Sequence, residues 1–234
     1  MEESFIIIEF IKEHRMDILK YLAIIIAVLF FYILFMDYWP EIKMMFNPAT
    51  RGTAIQEIRD HGVVDAVLLI FLLYILTLIP GAPVAVVGVI SGICFGKWFG
   101  IIINIIGLSA GNLGTAKIVS SFKGMSKKYK DNKYAQHFKN LRHPLLGLII
   151  GYSIPIIPTY LVSFQANQDK ERFTSKDVKI ATILGSVPIS VIYSLGGDTI
   201  LQGSFKKIMV LLAIIVIFAL IVYFMVKRLV TDKL

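Results

Sequence analysis

Several residue types on which common protein chemistry depends are scarce in this chain. Cys94 is the only cysteine, so an internal disulfide is excluded. The four histidines, at positions 14, 61, 137 and 143, have no ligand spacing to one another, so we predict no metal site. The sequence also lacks a phosphate-binding glycine loop and a nucleophile-elbow serine. We therefore expect neither an enzyme nor a cofactor-binding protein.

Charged residues are also scarce, at 17% of the 234 residues, whereas 56% are hydrophobic. Soluble domains contain about 45–50% apolar residues. With a mean hydropathy of +0.74, the composition predicts an all-α integral membrane protein. The net charge of +8 comes largely from 123–142, where seven Lys and Arg accompany one Asp. Such a loop sets membrane orientation, so nucleic acid is not an expected partner.

Four hydrophobic runs are long enough to cross a bilayer, which takes about 20 helical residues. They occupy residues 18–36, 99–119, 178–195 and 208–226. The first run is not followed by a small-residue cleavage site, so we expect a retained helix and not a signal peptide. The predicted organisation is an N-terminal helix, first span and outer loop (1–62), a core (63–200), and a last span with a tail (201–234).

A proline punctuation occurs twice, as Ile-Pro-Gly-Ala-Pro at 79–83 and Ile-Pro-Ile-Ile-Pro at 154–158. Prolines 80, 83, 155 and 158 remove backbone donors and disfavour a continuous helix. The flanking apolar arms (66–79, 84–96, 145–154 and 159–166) are each shorter than a full span. These lengths predict two re-entrant hairpins, and two pairs of tilted, proline-kinked spans remain the alternative.

The distribution of basic residues predicts the orientation. If both termini are cytoplasmic and each hairpin returns to its own side, 18 of the 24 Lys and Arg lie inside and 6 outside. The hairpins then enter from opposite faces, 75 residues apart, as in an inverted repeat. A multi-pass protein of the cell membrane is the predicted location.

Glycines recur at intervals of four residues around the first hairpin. Residues four apart share a helix face, and small side chains there let helices approach closely in lipid. We predict helix packing at Gly88, Gly92, Gly96, Gly100, Gly107 and Gly111. A glycine-lined seam that opens for a lipid or an ion is the functional alternative.

Three charged residues are candidates for a transport site. Asp65 begins the first hairpin arm, and either couples transport to protons or caps the helix in the headgroup region. Arg142 and Arg172 flank the second hairpin, where they either bind a phosphate headgroup or anchor the positive-inside face. With the breaks themselves (Pro80, Gly81, Pro83, Pro155 and Pro158), the arginines form the predicted substrate-binding set.

A combination of these motifs resembles the DedA/VTT-domain superfamily of SNARE-associated Golgi proteins over about residues 60–200. The matching positions are Pro80-Gly81-Ala82-Pro83, the glycine series with Phe95-Gly96, Phe122-Lys123-Gly124, Arg142-His143-Pro144, Pro155, Phe173, Gly185 and Pro188. The resemblance implies two opposed re-entrant hairpins and movement of lipids between leaflets. Bacterial members are linked to recycling of undecaprenyl phosphate, eukaryotic relatives to phospholipid scrambling, and some members to proton coupling.

Two departures place the chain nearer the branch that lacks an acid before the first break. Thr77-Leu78-Ile79 precede Pro80, and Lys123 stands where an arginine is usual. Arg142 matches the family's arginine before the second hairpin. We therefore expect a flippase or scramblase for an anionic polyprenyl phosphate or phospholipid, with membrane lipids as partners and a homodimer left open. The alternatives are a small-solute or ion transporter and a scaffold that uses the basic 123–142 loop.

Overall fold

The computed structural model describes residues 21–121, 143–168 and 172–231, apart from positions 22, 23, 27, 30, 31, 34, 38, 46, 48, 61, 80, 155, 156, 158 and 204. Every regular element in this part is a helix, which confirms the predicted all-α class. The helices are α1 (Trp39–Met45), α2 (Arg51–Arg59), α3 (Val63–Leu78), α4 (Val84–Ser121), α5 (Pro144–Ser153), α6 (Thr159–Gln168), α7 (Ser175–Gln202) and α8 (Phe205–Thr231).

Three segments of the described chain are long and apolar enough to cross a membrane. They are Val84–Ile118, Ser175–Gln202 and Lys206–Met225, and they contain or closely match three of the four predicted spans. A fourth crossing arises if α2 and α3, which meet at an angle of 76°, count as one broken span. The span predicted at 18–36 includes positions outside the described residues. A multi-pass membrane protein is therefore supported.

Helix α4 is two antiparallel arms joined at Gly96. The backbone there has φ 69° and ψ −178°, which is outside the helical region and accessible mainly to glycine. The hydroxyl of Ser91 donates to Oδ1 of Asn104 at 2.8 Å, although residues 13 apart in a straight helix would be separated by about 20 Å. We call the arms α4a (84–95) and α4b (97–121); at about 37 Å, only α4b is long enough to span a bilayer.

Helix α3 lies parallel to α4b. Moving along α4b, Gly107 faces Leu73, Gly111 faces Thr77 and Gly114 faces Leu78. Residues 79–83 therefore turn the chain beside the second half of α4b, and α4a returns along its first half. Consequently the first proline punctuation lies beside the interior of a span and not at its end.

Helix α7 is antiparallel to α4b. Asn104 of α4b contacts Ser194 of α7, and Asn112 of α4b contacts Ser186 of α7. From the first contact to the second, the position moves eight residues forward in α4b and eight residues backward in α7, so the two helices run in opposite directions. A capping box between Thr174 and Asp177 begins α7, which ends at a left-handed Gly203. The helices α4 and α7 are thus the central pair.

The second proline punctuation joins α5 and α6. The hydroxyls of Tyr152 and Ser163 hydrogen bond across this pair at 2.8 Å. Tyr152 also belongs to a buried apolar cluster with Val162 of α6 and Ala181 of α7. Helix α8 packs on α7, and its most apolar stretch within Lys206–Met225 contains no buried residue.

Helices approach closely at five of the six predicted packing glycines, and at Gly92 and Gly100 the nearest atom belongs to backbone. A Cβ atom at Gly92 would overlap the Ser194 carbonyl, and one at Gly100 would lie 2.9 Å from the Ser91 carbonyl oxygen. Side chains of α3 or α7 occupy the equivalent space at Gly88, Gly107 and Gly111. Gly96 forms the turn between the arms, and Gly197 faces the Val89 carbonyl.

The contact between α4a and α7 predicts a strong dependence on two of these glycines. Gly92→Ala and Gly197→Ala should each destabilise the protein by about 1–3 kcal/mol, because the new methyl meets backbone that no rotamer change can move. Gly52→Ala in α2 is the control, since nothing lies within 4 Å of that position. Thermal unfolding of the purified chain in detergent measures the difference. Equal unfolding midpoints for all three variants would contradict the close backbone contact between α4a and α7.

Candidate functional site

The two proline punctuations begin with the same backbone conformation and share one hydrogen bond. Ile79 ends α3 with φ −95° and ψ 114°, and Ile154 ends α5 with φ −96° and ψ 114°. The amide of Ala82 donates to the Ile79 carbonyl at 3.2 Å, and that of Ile157 donates to the Ile154 carbonyl at 3.1 Å. We call these segments break 1 (79–83) and break 2 (154–158). Each break is an extended isoleucine followed by a tight turn.

Both breaks line one cavity of about 310 Å³, the central cavity. Helices α3, α4a, α4b, α5, α6 and α7 complete its wall. Its described lining residues are Leu76, Thr77, Ile79, Gly81, Ala82, Pro83, Val84, Ala85, Leu108, Asn112, Tyr152, Ile154, Ile157, Thr159, Tyr160, Ile189 and Tyr193. The fold thus brings together two turns that are 75 residues apart in sequence.

The described lining of the central cavity is mostly apolar, with six polar side chains and no charged one. Hydroxyl groups come from two threonines and three tyrosines, and Asn112 supplies an amide. The side chain of Asn112 is 3% exposed, and its Oδ1 has no hydrogen-bond donor among the described residues. Because buried polar atoms are almost always paired, this oxygen is an acceptor suited to a bound ligand or water.

Side-chain hydroxyls satisfy backbone carbonyls near the breaks. Thr115 of α4b donates to the Thr77 carbonyl at 3.1 Å, and Thr77 donates to the Leu73 carbonyl at 2.7 Å. Ser153 donates to the Ile149 carbonyl at 2.7 Å. Unpaired carbonyls are costly in lipid, so irregular backbone at membrane depth requires such partners.

A stripe of buried polar residues runs along α7 toward α4. Its members are Thr182, Ser186, Ser190, Ser194 and Asp198, spaced by four residues on one helix face. We call this stripe and its α4b partners (Asn104, Ser109 and Asn112) the polar seam. Asn104 is its most connected member, because it also donates to the Gly88 carbonyl at 2.9 Å. The four-residue spacing on α7 was the available sequence signal for this seam, which was not among the predicted sites.

The polar seam ends at an ion pair. Asp198 is 8% exposed, and its Oδ1 accepts from the guanidinium of Arg59 at 2.5 Å. Gln202 donates to Oδ2 at 2.8 Å. A Cβ atom at Gly96 would lie 3.9 Å from the carboxylate, so the pair sits beside the turn between α4a and α4b. This pair connects α2 to the end of α7.

The predicted site residues lie in several different parts of the structure. Gly81 and Pro83 line the central cavity. Asp65 is partly buried in the first turn of α3, at the end remote from break 1. Arg172 is exposed just before the cap of α7 and does not line the cavity. Pro80, Arg142, Pro155 and Pro158 lie outside the described residues. The roles proposed for all of these residues stay predictions.

The hydrogen bonds of Asn104 predict that this residue supports the seam. Asn104→Ala should lower the free energy of unfolding by about 1–3 kcal/mol, because Ser91, Ser194 and the Gly88 carbonyl each lose a partner. Ser109→Ala is the control, since that hydroxyl makes one long contact of 3.4 Å. Thermal unfolding in detergent compares the two variants. If Asn104→Ala lowered the free energy of unfolding by less than Ser109→Ala does, the result would contradict the hydrogen-bond network around Asn104.

The chain matches no protein-family model, no curated protein and no solved structure. The resemblance to the DedA/VTT-domain superfamily consequently rests on the sequence motifs alone. What the structure establishes is a helical, multi-pass membrane protein in which the two proline-containing breaks meet at one cavity, whose described lining is mostly apolar and uncharged.

Proposed function

We propose that the protein moves lipids with anionic headgroups between membrane leaflets. The observation that carries this proposal is the meeting of break 1 and break 2 at the central cavity. Paired interruptions in two halves of a membrane protein are typical of transport sites. The resemblance to the DedA/VTT-domain superfamily supports lipid as the transported class.

We propose further that each break is the tip of a re-entrant hairpin. Helix α3 is about 24 Å long, α4a about 18 Å, and α5 and α6 about 15 Å each. All four are shorter than the hydrocarbon core of about 30 Å. Break 1 also lies beside the interior of α4b, which supports a hairpin that enters and leaves on one side.

The contacts of the two hairpins support an inverted repeat. Gly107 of α4b meets the Ile70 carbonyl and the Leu73 Cβ atom, and Gly185 of α7 meets the Ile149 carbonyl and the Tyr152 Cβ atom. The same contact therefore joins the first arm of each hairpin to the span that follows. Because α7 is antiparallel to α4b, the two units would enter from opposite faces.

Headgroup transfer then takes place at the central cavity. Hydroxyls of Thr159, Tyr160 and Tyr193 offer hydrogen bonds to a headgroup, while the acyl chains stay in the bilayer. Since the described lining is uncharged, phosphate recognition is assigned to residues around the second hairpin, with Arg142 and Arg172 as the proposed contacts. Asp65 remains a proposal for proton coupling.

One observation favours a small polar solute as the second candidate substrate. A volume of about 310 Å³ without charged lining among the described residues is at the lower end of the range for small-molecule sites, about 300–1,000 Å³. Uptake of an uncharged solute that does not depend on lipid composition would favour this alternative. The scaffold alternative depends on 123–142, which lies outside the described residues.

Filling the central cavity should stop lipid transfer. Ala85 lines it, and Val86 on the same arm is 47% exposed on the surface. We expect Ala85→Phe to reduce exchange of a fluorescent anionic phospholipid in proteoliposomes to the rate of protein-free vesicles. Val86→Phe is the matched control and should retain the activity of the unmodified chain.

Two results would contradict the proposal. One is exchange by the unmodified chain no faster than in protein-free vesicles for every anionic lipid tested. The other is equal exchange by both phenylalanine variants, which would show that transfer takes place elsewhere. Equal unfolding temperatures of the two variants are required so that a folding defect is not read as lost transport.

Labelling of position 82 distinguishes a hairpin from two full spans. In a Cys94→Ala background, Ala82→Cys should resist a bulky, membrane-impermeant maleimide added to either side, because break 1 lies beside the interior of α4b. Lys206→Cys, an exposed position at the start of α8, is the positive control. Labelling of position 82 from one aqueous side would instead indicate that the break reaches the membrane surface.

A further inference from the structure

A second cavity, of about 300 Å³, lies between the end of α7, the start of α8 and the turn of α4. We call it the α7–α8 groove. Its described lining residues are Lys97, Leu195, Asp198, Thr199, Lys206, Lys207, Val210, Leu211 and Ile214. It shares no lining residue with the central cavity.

One end of the α7–α8 groove is strongly cationic. Lys97, Lys206 and Lys207 line it together with Asp198, the single acid among its described lining residues. That carboxylate is already engaged by Arg59 at 2.5 Å and by Gln202 at 2.8 Å. The positive charge of the three lysines is therefore not cancelled by the acid beside them, and the end of the groove attracts an anion.

Neighbouring side chains hold this cationic end in place. Lys207 donates to Oε1 of Gln202, whose amide nitrogen in turn donates to Asp198. The Lys97 ammonium lies 5.4 Å from the centre of the Trp98 ring. Trp98 itself is 71% exposed, and an aromatic residue beside lysine is typical of the membrane–water interface.

The remainder of the α7–α8 groove is apolar. Val210, Leu211 and Ile214 follow the lysines along α8, and Leu195 faces them from α7. Residues 207, 210, 211 and 214 recur with helical periodicity, so they form one face of α8. A cationic end followed by an apolar channel matches a molecule with an anionic head and a hydrocarbon tail.

We propose that the α7–α8 groove binds a lipid with a phosphate headgroup. The three lysines contact the phosphate, and one acyl chain lies along Leu195, Val210, Leu211 and Ile214. The apolar lining selects a lipid over free phosphate, which would fill the cationic end alone. The site does not depend on the proposed transport, because it stands on the α7–α8 groove alone.

A tryptophan placed on the apolar lining provides a direct readout. The chain has two tryptophans, so Trp39→Phe with Trp98→Phe and Val210→Trp leaves a single tryptophan, on the lining of the groove. The full-length variant is placed in phosphatidylcholine vesicles that contain increasing fractions of phosphatidylglycerol with brominated acyl chains. Bromine quenches only within contact range, so lipid held in the groove should quench this tryptophan at a lower mole fraction than brominated phosphatidylcholine does.

Charge removal tests the lysines. Lys206→Gln with Lys207→Gln should raise the phosphatidylglycerol fraction needed for half-quenching by about fivefold for each lysine removed. Lys176→Gln with Lys179→Gln is the matched control, because it removes the same charge from exposed positions at the opposite end of α7. The control should leave the half-quenching fraction unchanged.

Each remaining outcome would overturn the proposal. Equal quenching by the two brominated lipids would show no preference for an anionic head. Equal shifts in both double variants would show a general surface-charge effect. If millimolar inorganic phosphate removed the preference while sodium chloride of equal ionic strength did not, the groove would be a site for the free anion and not for a lipid.

Discussion

An interrupted helix inside a membrane must find its hydrogen bonds within the protein, and the core of this structure follows from that constraint. The carbonyl of Thr77 lies just before break 1, where lipid offers no donor. Thr115 of α4b supplies one. That bond requires the two backbones to be close, and Gly111, which faces Thr77, leaves the necessary space. The hydrogen bonding of break 1 therefore depends on the glycine opposite it.

The same reasoning explains why small and polar residues alternate along α4. Glycines remove the side chains that would separate the helices, and Asn104, Asn112 and Thr115 hydrogen bond across the resulting contacts. Helices in lipid gain little from apolar burial, so packing and hydrogen bonds must hold them together. Single bonds of this kind contribute only about 0.6 kcal/mol on average. Because each bond contributes so little, a polar seam that runs along most of α7 is needed to hold α4 and α7 together stably.

Much of this architecture can be predicted from the sequence, because run length, proline spacing and glycine spacing are local properties. They indicated helices at 99–119 and 178–195, the ends of α3 and α5, and the end of an arm at Gly96. The glycine spacing also indicated that the return arm packs on the span that follows it, but the contacts that fix this packing could not be predicted in the same way. They depend on the positive φ of Gly96, which forms the turn, and include the pair of Ser91 with Asn104. The pairing of Arg59 with Asp198, 139 residues away, is likewise a tertiary contact that no periodicity encodes.

The packing also indicates where the protein can open. Between α4a and α7, the Val89 and Ser194 carbonyls lie against Gly197 and Gly92, which leaves no room even for a methyl group. The polar seam is therefore tightly packed at its Ser194 end, where backbone of α4a meets backbone of α7. The central cavity lies where the two breaks meet, and its walls include α6 and the ends of α3 and α5. Because α4a is packed against α7 by backbone contact, whereas α5 and α6 both end at the cavity, we infer that any passage for a headgroup opens by movement of α5, break 2 and α6 against a fixed α4–α7 pair.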